Sequence, residues 1–289
     1  VQRLRGDPAA ALATLESLGA PGWMGAQAQR LLAGCYTDLG RLDEADALLE
    51  RYLANRVPRF QAARRAYEQA LEGAQERLVN QARNGGLPRE LENKLEAAPE
   101  EKQRELFQEW LGGELDRDAT ISARRDEYQA RQDVVPASIA LGTVKLRRAN
   151  AAQGEARQAL LSAAERVFLS IRQEGADSPA FHLGLGQVFH RLGKAEEGDK
   201  ELAQLLARGE APLELAVAEA YRELGIVTKA REVAQRVFER NGLDKRLHEH
   251  AALKLANLTS ELEEQEKWLA HAGDSPAVRY ELASTRGER

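Results

Sequence analysis

The stretch FHLGLGQVFHRLGKAEEGDKELAQLL, residues 181–206, holds two glycines in Gly184-Leu185-Gly186, two histidines and a Gly193-Lys194 step. Each element invites a chemical reading, and each fails on context. A dinucleotide loop needs a third glycine and a preceding strand, whereas this Gly-x-Gly lies within a helical pattern. Gly193-Lys194 lacks the Gly-x-x-x-x-Gly-Lys-Ser/Thr frame of a phosphate loop. His182 and His190 are eight residues apart, about 12 Å along a helix, too far to share a metal.

Two other stretches explain the glycines better. RLLAGCYTDLGRLDEADALLERYL (30–53) and ELAVAEAYRELGIVTKAREVAQRVF (214–238) share the same spacing with 181–206. Each has an apolar residue followed by a small one, an aromatic three further on, a glycine four after that and a small residue five beyond. The positions are Leu32-Ala33, Tyr36, Gly40 and Ala45; Leu185-Gly186, Phe189, Gly193 and Gly198; Val217-Ala218, Tyr221, Gly225 and Ala230. The pattern describes two helices joined by a tight turn. Small residues let the pair approach, the aromatic fills the space between, and glycine takes a backbone conformation that other residues resist.

On these residues the chain resembles the tetratricopeptide repeat family, built from helix-turn-helix units of ~34 residues. The resemblance implies an all-α, right-handed superhelical solenoid. Gly6 precedes Gly40 by 34 residues, so DPAAALATLESL after Gly6 reads as a second helix. SPAVRYELAS (275–284) repeats the opening SPAFHLGLGQ (178–187) and then stops. A solenoid needs polar end caps, so the expectation is a piece of a longer protein. Degenerate units are expected at 137–173, with Leu141-Gly142, Ala164 and Phe168, and at 244–271, with Leu253, Leu262 and Leu269.

The expected organisation is repeat-like over 1–57, a long-helix insert over 58–135 and repeat-like again over 136–289. Within the insert, Phe60, Ala63, Tyr67, Ala70, Ala74, Leu78 and Ala82 form a helical stripe. Gly73 lies 33 residues after Gly40, so a repeat bend there is the alternative to a straight helix. Asn84-Gly85-Gly86 ends the stripe. Helices at 89–97, from Pro99, and after Gly112-Gly113 to just before Pro136 are expected to pack through Leu106, Phe107, Trp110, Leu111, Ile121 and Tyr128.

Composition bounds the function. Of 289 residues 30% are charged and only 5% aromatic, and charges recur too often for a membrane span. A net charge of −5 counts against a general nucleic-acid binder. The basic clusters Arg64-Arg65, Arg124-Arg125 and Lys145 to Arg148 are interleaved with acids and read as solvated helix faces. Cys35 is the only cysteine, which fits a reducing cytoplasm and a buried structural role. Arginine outnumbers lysine 32 to 9, the usage expected of a GC-rich bacterial gene. His248 and His250 point to different sides of a helix, so both they and His182 and His190 are expected to be solvated or half-buried. No hydrolase or kinase signature occurs, and neither enzyme activity nor a cofactor is expected.

The resemblance also implies a concave groove lined by first helices and holding an extended peptide or partner helix. Its outward positions here are Gln27, Arg30 and Asp38; Gln187, His190 and Arg191; Glu219, Arg222 and Glu223. The family variant that clamps a terminal carboxylate needs Lys, Asn and Arg at set positions, which here read Arg30 and Gly34, Leu183 and Gln187, Leu215 and Glu219. That clamp is absent. The expected function is a non-catalytic interaction scaffold or regulatory module. The alternatives are a sensor region of a larger enzyme and an RNA-binding helical repeat.

Overall fold

The computed structural model describes residues 7–17, 19, 25–117, 121–274 and 278–280. All regular secondary structure among these residues is helical. The helices are α1 (Pro8–Glu16), α2 (Ala26–Asp38), α3 (Leu42–Arg83), α4 (Arg89–Ala97), α5 (Glu100–Arg117), α6 (Ile121–Ala151), α7 (Gly154–Leu169), α8 (Arg172–Gly175), α9 (Pro179–Arg191), α10 (Ala195–Leu206), α11 (Ala211–Glu223), α12 (Val227–Phe238), α13 (Lys245–Asn257) and α14 (Leu262–His271). The chain divides into two compact units, residues 1–138 and 139–289. Gly6 and most of the expected repeat at 275–284 lie outside the described residues.

The three turns expected at Gly40, Gly193 and Gly225 share one geometry. The glycines have φ of 74°, 79° and 75°. The residue after each donates its N–H to the carbonyl of the repeat aromatic: Arg41 to Tyr36 at 2.8 Å, Lys194 to Phe189 at 2.9 Å and Ile226 to Tyr221 at 2.8 Å. This six-to-one bond, beside a left-handed residue, satisfies helix carbonyls that would otherwise be orphaned. A Cβ on Gly193 would meet open space, so its cost is conformational alone. Gly193→Ala is therefore expected to destabilise the chain by about 1–2 kcal/mol, read as a lower urea midpoint with an unchanged slope.

In the second unit α9 packs on α10, α11 on α12 and α13 on α14, as the repeat spacing requires. The small residues mark the close approaches. A Cβ on Gly186 would come within 2.9 Å of Leu202, and one on Gly198 within 2.4 Å of the His190 ring. Leu185, Val217, Ala230, Leu255 and Leu269 are fully buried, and Phe189 and Tyr221 nearly so. Helices α6, α7 and α9 are knit by Phe168, whose fully buried ring fits against Gly142 of α6 and Gly184 of α9. Pro179 and Pro212 stand in the first turns of α9 and α11, where a missing N–H costs nothing.

The first unit departs from expectation at its prolines and glycines. α3 runs for 42 residues straight through Pro58 and Gly73, so no repeat turn forms at Gly73. α5 continues through Gly112-Gly113, and α6 continues through Pro136 instead of ending before it. Pro136 has no N–H to give the carbonyl four residues earlier, Gln132. Arg30 supplies the substitute, its Nη1 donating to that oxygen at 2.5 Å. Of the expected packing residues, Leu111 is buried and Phe107 and Trp110 lie against each other with centroids 5.5 Å apart and their rings tilted by 45°, but Tyr128 is exposed. The side chain of Ile121 lies outside the description. No helix among the described residues is long and apolar enough to cross a membrane.

Candidate functional site

The second unit presents a pocket of about 440 Å³ lined by residues of three helices, α6, α9 and α11. α6 contributes Thr143, Leu146, Arg147 and Asn150, α9 contributes Gln187 and Arg191, and α11 contributes Glu223. The α6 residues follow three- and four-residue steps and so share one helix face, as do Gln187 and Arg191. Three of the nine expected groove residues are thus brought together here.

Their polar contacts order the pocket. Gln187 Nε2 donates to Glu223 Oε2 at 2.8 Å. Arg191 Nη2 donates to the Glu223 carbonyl at 3.3 Å, while Arg191 Nε is buried with no hydrogen-bond partner. Burial, with the repulsion of nearby Arg157, lowers the Arg191 pKa against the opposing pull of Glu223. This guanidinium is an under-coordinated cation in the wall of a polar cavity. Arg147 and Asn150 are exposed at the rim.

Glu219 and Arg222 lie on the same helix but are paired. Arg222 Nε donates to Glu219 Oε1 at 3.0 Å, and Lys254 of α13 donates to Oε2. These partners, Arg222 first, hold the Glu219 carboxyl at about 2, below its ordinary 4.5. A depressed carboxyl pKa means stability that is fully present above pH 4.5 and is lost as pH falls through about 2. The shift corresponds to about 3 kcal/mol at 1.36 kcal/mol per unit, and screening of the partly exposed ion pairs reduces this to about 1–2 kcal/mol. Glu219→Gln is expected to lose less stability than the unmodified chain between pH 4.5 and 2, as read by urea titrations along that range.

His190 is turned inward, against the expectation of an outward groove position. Its ring packs on Gly198, and Nε2 lies 3.1 Å from Asp199 Oδ1. Asp199 also accepts from the Tyr221 hydroxyl at 2.9 Å and Lys229 Nζ at 2.6 Å. Burial, and then the Asp199 carboxylate that it bonds, push the Tyr221 phenol well above its ordinary range, so it stays a donor. His182 is buried outright, with Nδ1 2.8 Å from Glu201 Oε2 and Nε2 2.7 Å from the Ala176 carbonyl. Both histidines join neighbouring helices. The sequence signal for this was their register, since each shares its helix with residues of the buried stripe.

In the first unit Gln27 and Asp38 are exposed on α2, and Arg30 is engaged with Gln132. A cleft of about 240 Å³ there is lined by Gln29, Leu48, Arg51, Tyr52, Asn55, Arg56 and Arg59. None of the three expected groove residues lines it. Arg51, Asn55 and Arg59 fall four residues apart along α3, a spacing visible in the sequence but divided by the expected boundary at 57/58, which put Arg51 and Asn55 in the repeat-like region and Arg59 in the insert.

Residues missed from sequence are those that repeat a tie between successive helix pairs of the second unit. Arg208 donates to the Asp177 carbonyl at 3.3 Å, and Arg240 donates to the Gly209 carbonyl at 3.0 Å. The two arginines lie 32 residues apart, the same interval as Gly193 to Gly225. Arg240 also donates to both oxygens of buried Glu214 at 2.7 Å. No family model matches the chain, and no curated protein matches it significantly.

Proposed function

We propose that the chain is a non-catalytic protein-interaction module whose second unit binds an extended peptide or partner helix. In this reading the helix pairs stack as a right-handed, tetratricopeptide-like solenoid, and the first helices line its concave face. The carrying observation is the polar pocket drawn from three successive first helices, α6, α9 and α11. Such a surface offers amide donors and acceptors to a ligand backbone, while its charges set register and exclude wrong partners. A single buried cysteine fits service in a reducing compartment, the cytoplasm.

Selection of a displayed random-peptide library on the full chain tests this reading. Peptides so selected are expected to lose binding to an Asn150→Trp variant, which fills the pocket from its exposed rim. Equal binding to that variant, with folding verified by circular dichroism, would place recognition elsewhere.

A further inference from the structure

The chemistry of the pocket also specifies a ligand group, an inference that rests on the groove reading. Arg147 and Arg191 line it against one carboxylate, Glu223, whose Oε2 already takes the amide of Gln187. Arg157 adds a third guanidinium close enough to act on Arg191. A positive recess is thus set in a chain of net charge −5. Arg191 has a buried Nε without an acceptor and one long bond to a backbone carbonyl. The Nε is shut off from solvent, so what the pocket offers a planar anion is the Nη end of the guanidinium, whose Nη2 makes only that long bond.

We propose that the pocket is a subsite for the side-chain carboxylate of an acidic residue in the bound peptide, with Arg191 as the seat and Arg147 and Asn150 closing over it. Glu223 in the wall opposes a dianion, so a single negative charge fits better than a phosphate. α11 continues the contact line to α13 through Glu219 and Lys254, so the pocket has first-helix surface beyond it and suits a chain passing through instead of ending there. Arrival of a carboxylate gives Arg191 the counter-charge that burial and Arg157 leave it wanting.

The probes are three octapeptides: alternating Glu and Ala with both ends blocked, alternating Gln and Ala with both ends blocked, and alternating Gln and Ala with a free C-terminus. Binding to the full chain is followed by calorimetry and by the Arg191 Nε–Hε resonance. The Glu peptide is expected to bind at least about tenfold more tightly than either Gln peptide, the scale of one effective ion pair. It should shift the Arg191 resonance to saturation, and Arg191→Gln should remove the preference. Arg147→Gln, at an exposed position that folding does not need, should weaken it severalfold. Equal affinity for the blocked Glu and Gln peptides overturns the subsite while leaving the groove reading intact. Preference for the free C-terminus overturns the side-chain assignment. Failure of the Glu peptide to bind at millimolar concentration overturns the proposal, and the library selection decides the groove reading separately.

Discussion

Phe168→Ala is expected to destabilise the second unit by about 3–5 kcal/mol, the range for removing a buried aromatic from a close-packed core. The ring is fully buried at the meeting of α6, α7 and α9, and it stands edge-on to Phe181 at 5.9 Å. Cβ atoms added at Gly142 and Gly184 would come within 2.5 Å and 2.4 Å of it, so both helices approach the ring as closely as glycine permits. Collapse cannot refill the void, because the glycines on either side have nothing to extend into it. Urea unfolding followed by Trp268 fluorescence, in a background with Trp23 and Trp110 replaced by Phe, measures the loss. The reciprocal change, Gly184→Ala, is expected to cost about 1–3 kcal/mol by overpacking. Combined with Phe168→Leu it should cost less than the sum of the two single changes, since the smaller side chain makes room for the added methyl.

Arg240→Ala carries the second large effect, a loss of about 3–5 kcal/mol. The reason lies in what remains behind. Glu214 is only 3% exposed, and Arg240 supplies both of its 2.7 Å bonds. Removing the guanidinium leaves a carboxylate buried without its partner and the Gly209 carbonyl without its donor. Replacing both members, as in Glu214→Leu with Arg240→Leu, is expected to recover most of the loss, because a well-packed apolar pair has no charge to desolvate. Thermal unfolding of Arg240→Ala and of the double variant distinguishes these outcomes. If the double variant is no more stable than Arg240→Ala, the tie contributes more than charge compensation.

How far the sequence revealed this architecture depended on where physical constraint is local. The turns at Gly40, Gly193 and Gly225 were legible because a left-handed φ restricts the residue at one position. The α9–α10 approach was legible because Gly186 and Gly198 have no local reason to be small in a helix; they answer to a neighbour. Prolines misled. Pro136 reads as a helix stop, yet α6 passes through it because Arg30, about a hundred residues earlier, bonds the carbonyl that proline leaves free. No local pattern encodes a donor arriving from so far along the chain.

The same contrast governs the candidate site. Gln187, Arg191 and Glu223 were legible as surface positions of first helices, and they do meet at one pocket. His190 occupies a similar register but points inward, because Gly198 opens a slot for its ring and Asp199 accepts its nitrogen. Glu219 keeps its place on the face but is neutralised by Arg222 and Lys254, so it links α11 to α13 in the free protein. Arg147 was read only as part of a solvated basic cluster, and Thr143 and Asn150 went unnoticed because their helix was read as a degenerate repeat, whose outward face had no template.

Hydrogen exchange of the full chain with and without a library-selected peptide tests the central claim most directly. The account predicts added protection confined to residues 143–150, 187–191 and 219–223, the first-helix segments around the pocket. Protection centred on α3 and its arginine-lined cleft, or on second helices such as α10 and α12, would contradict it.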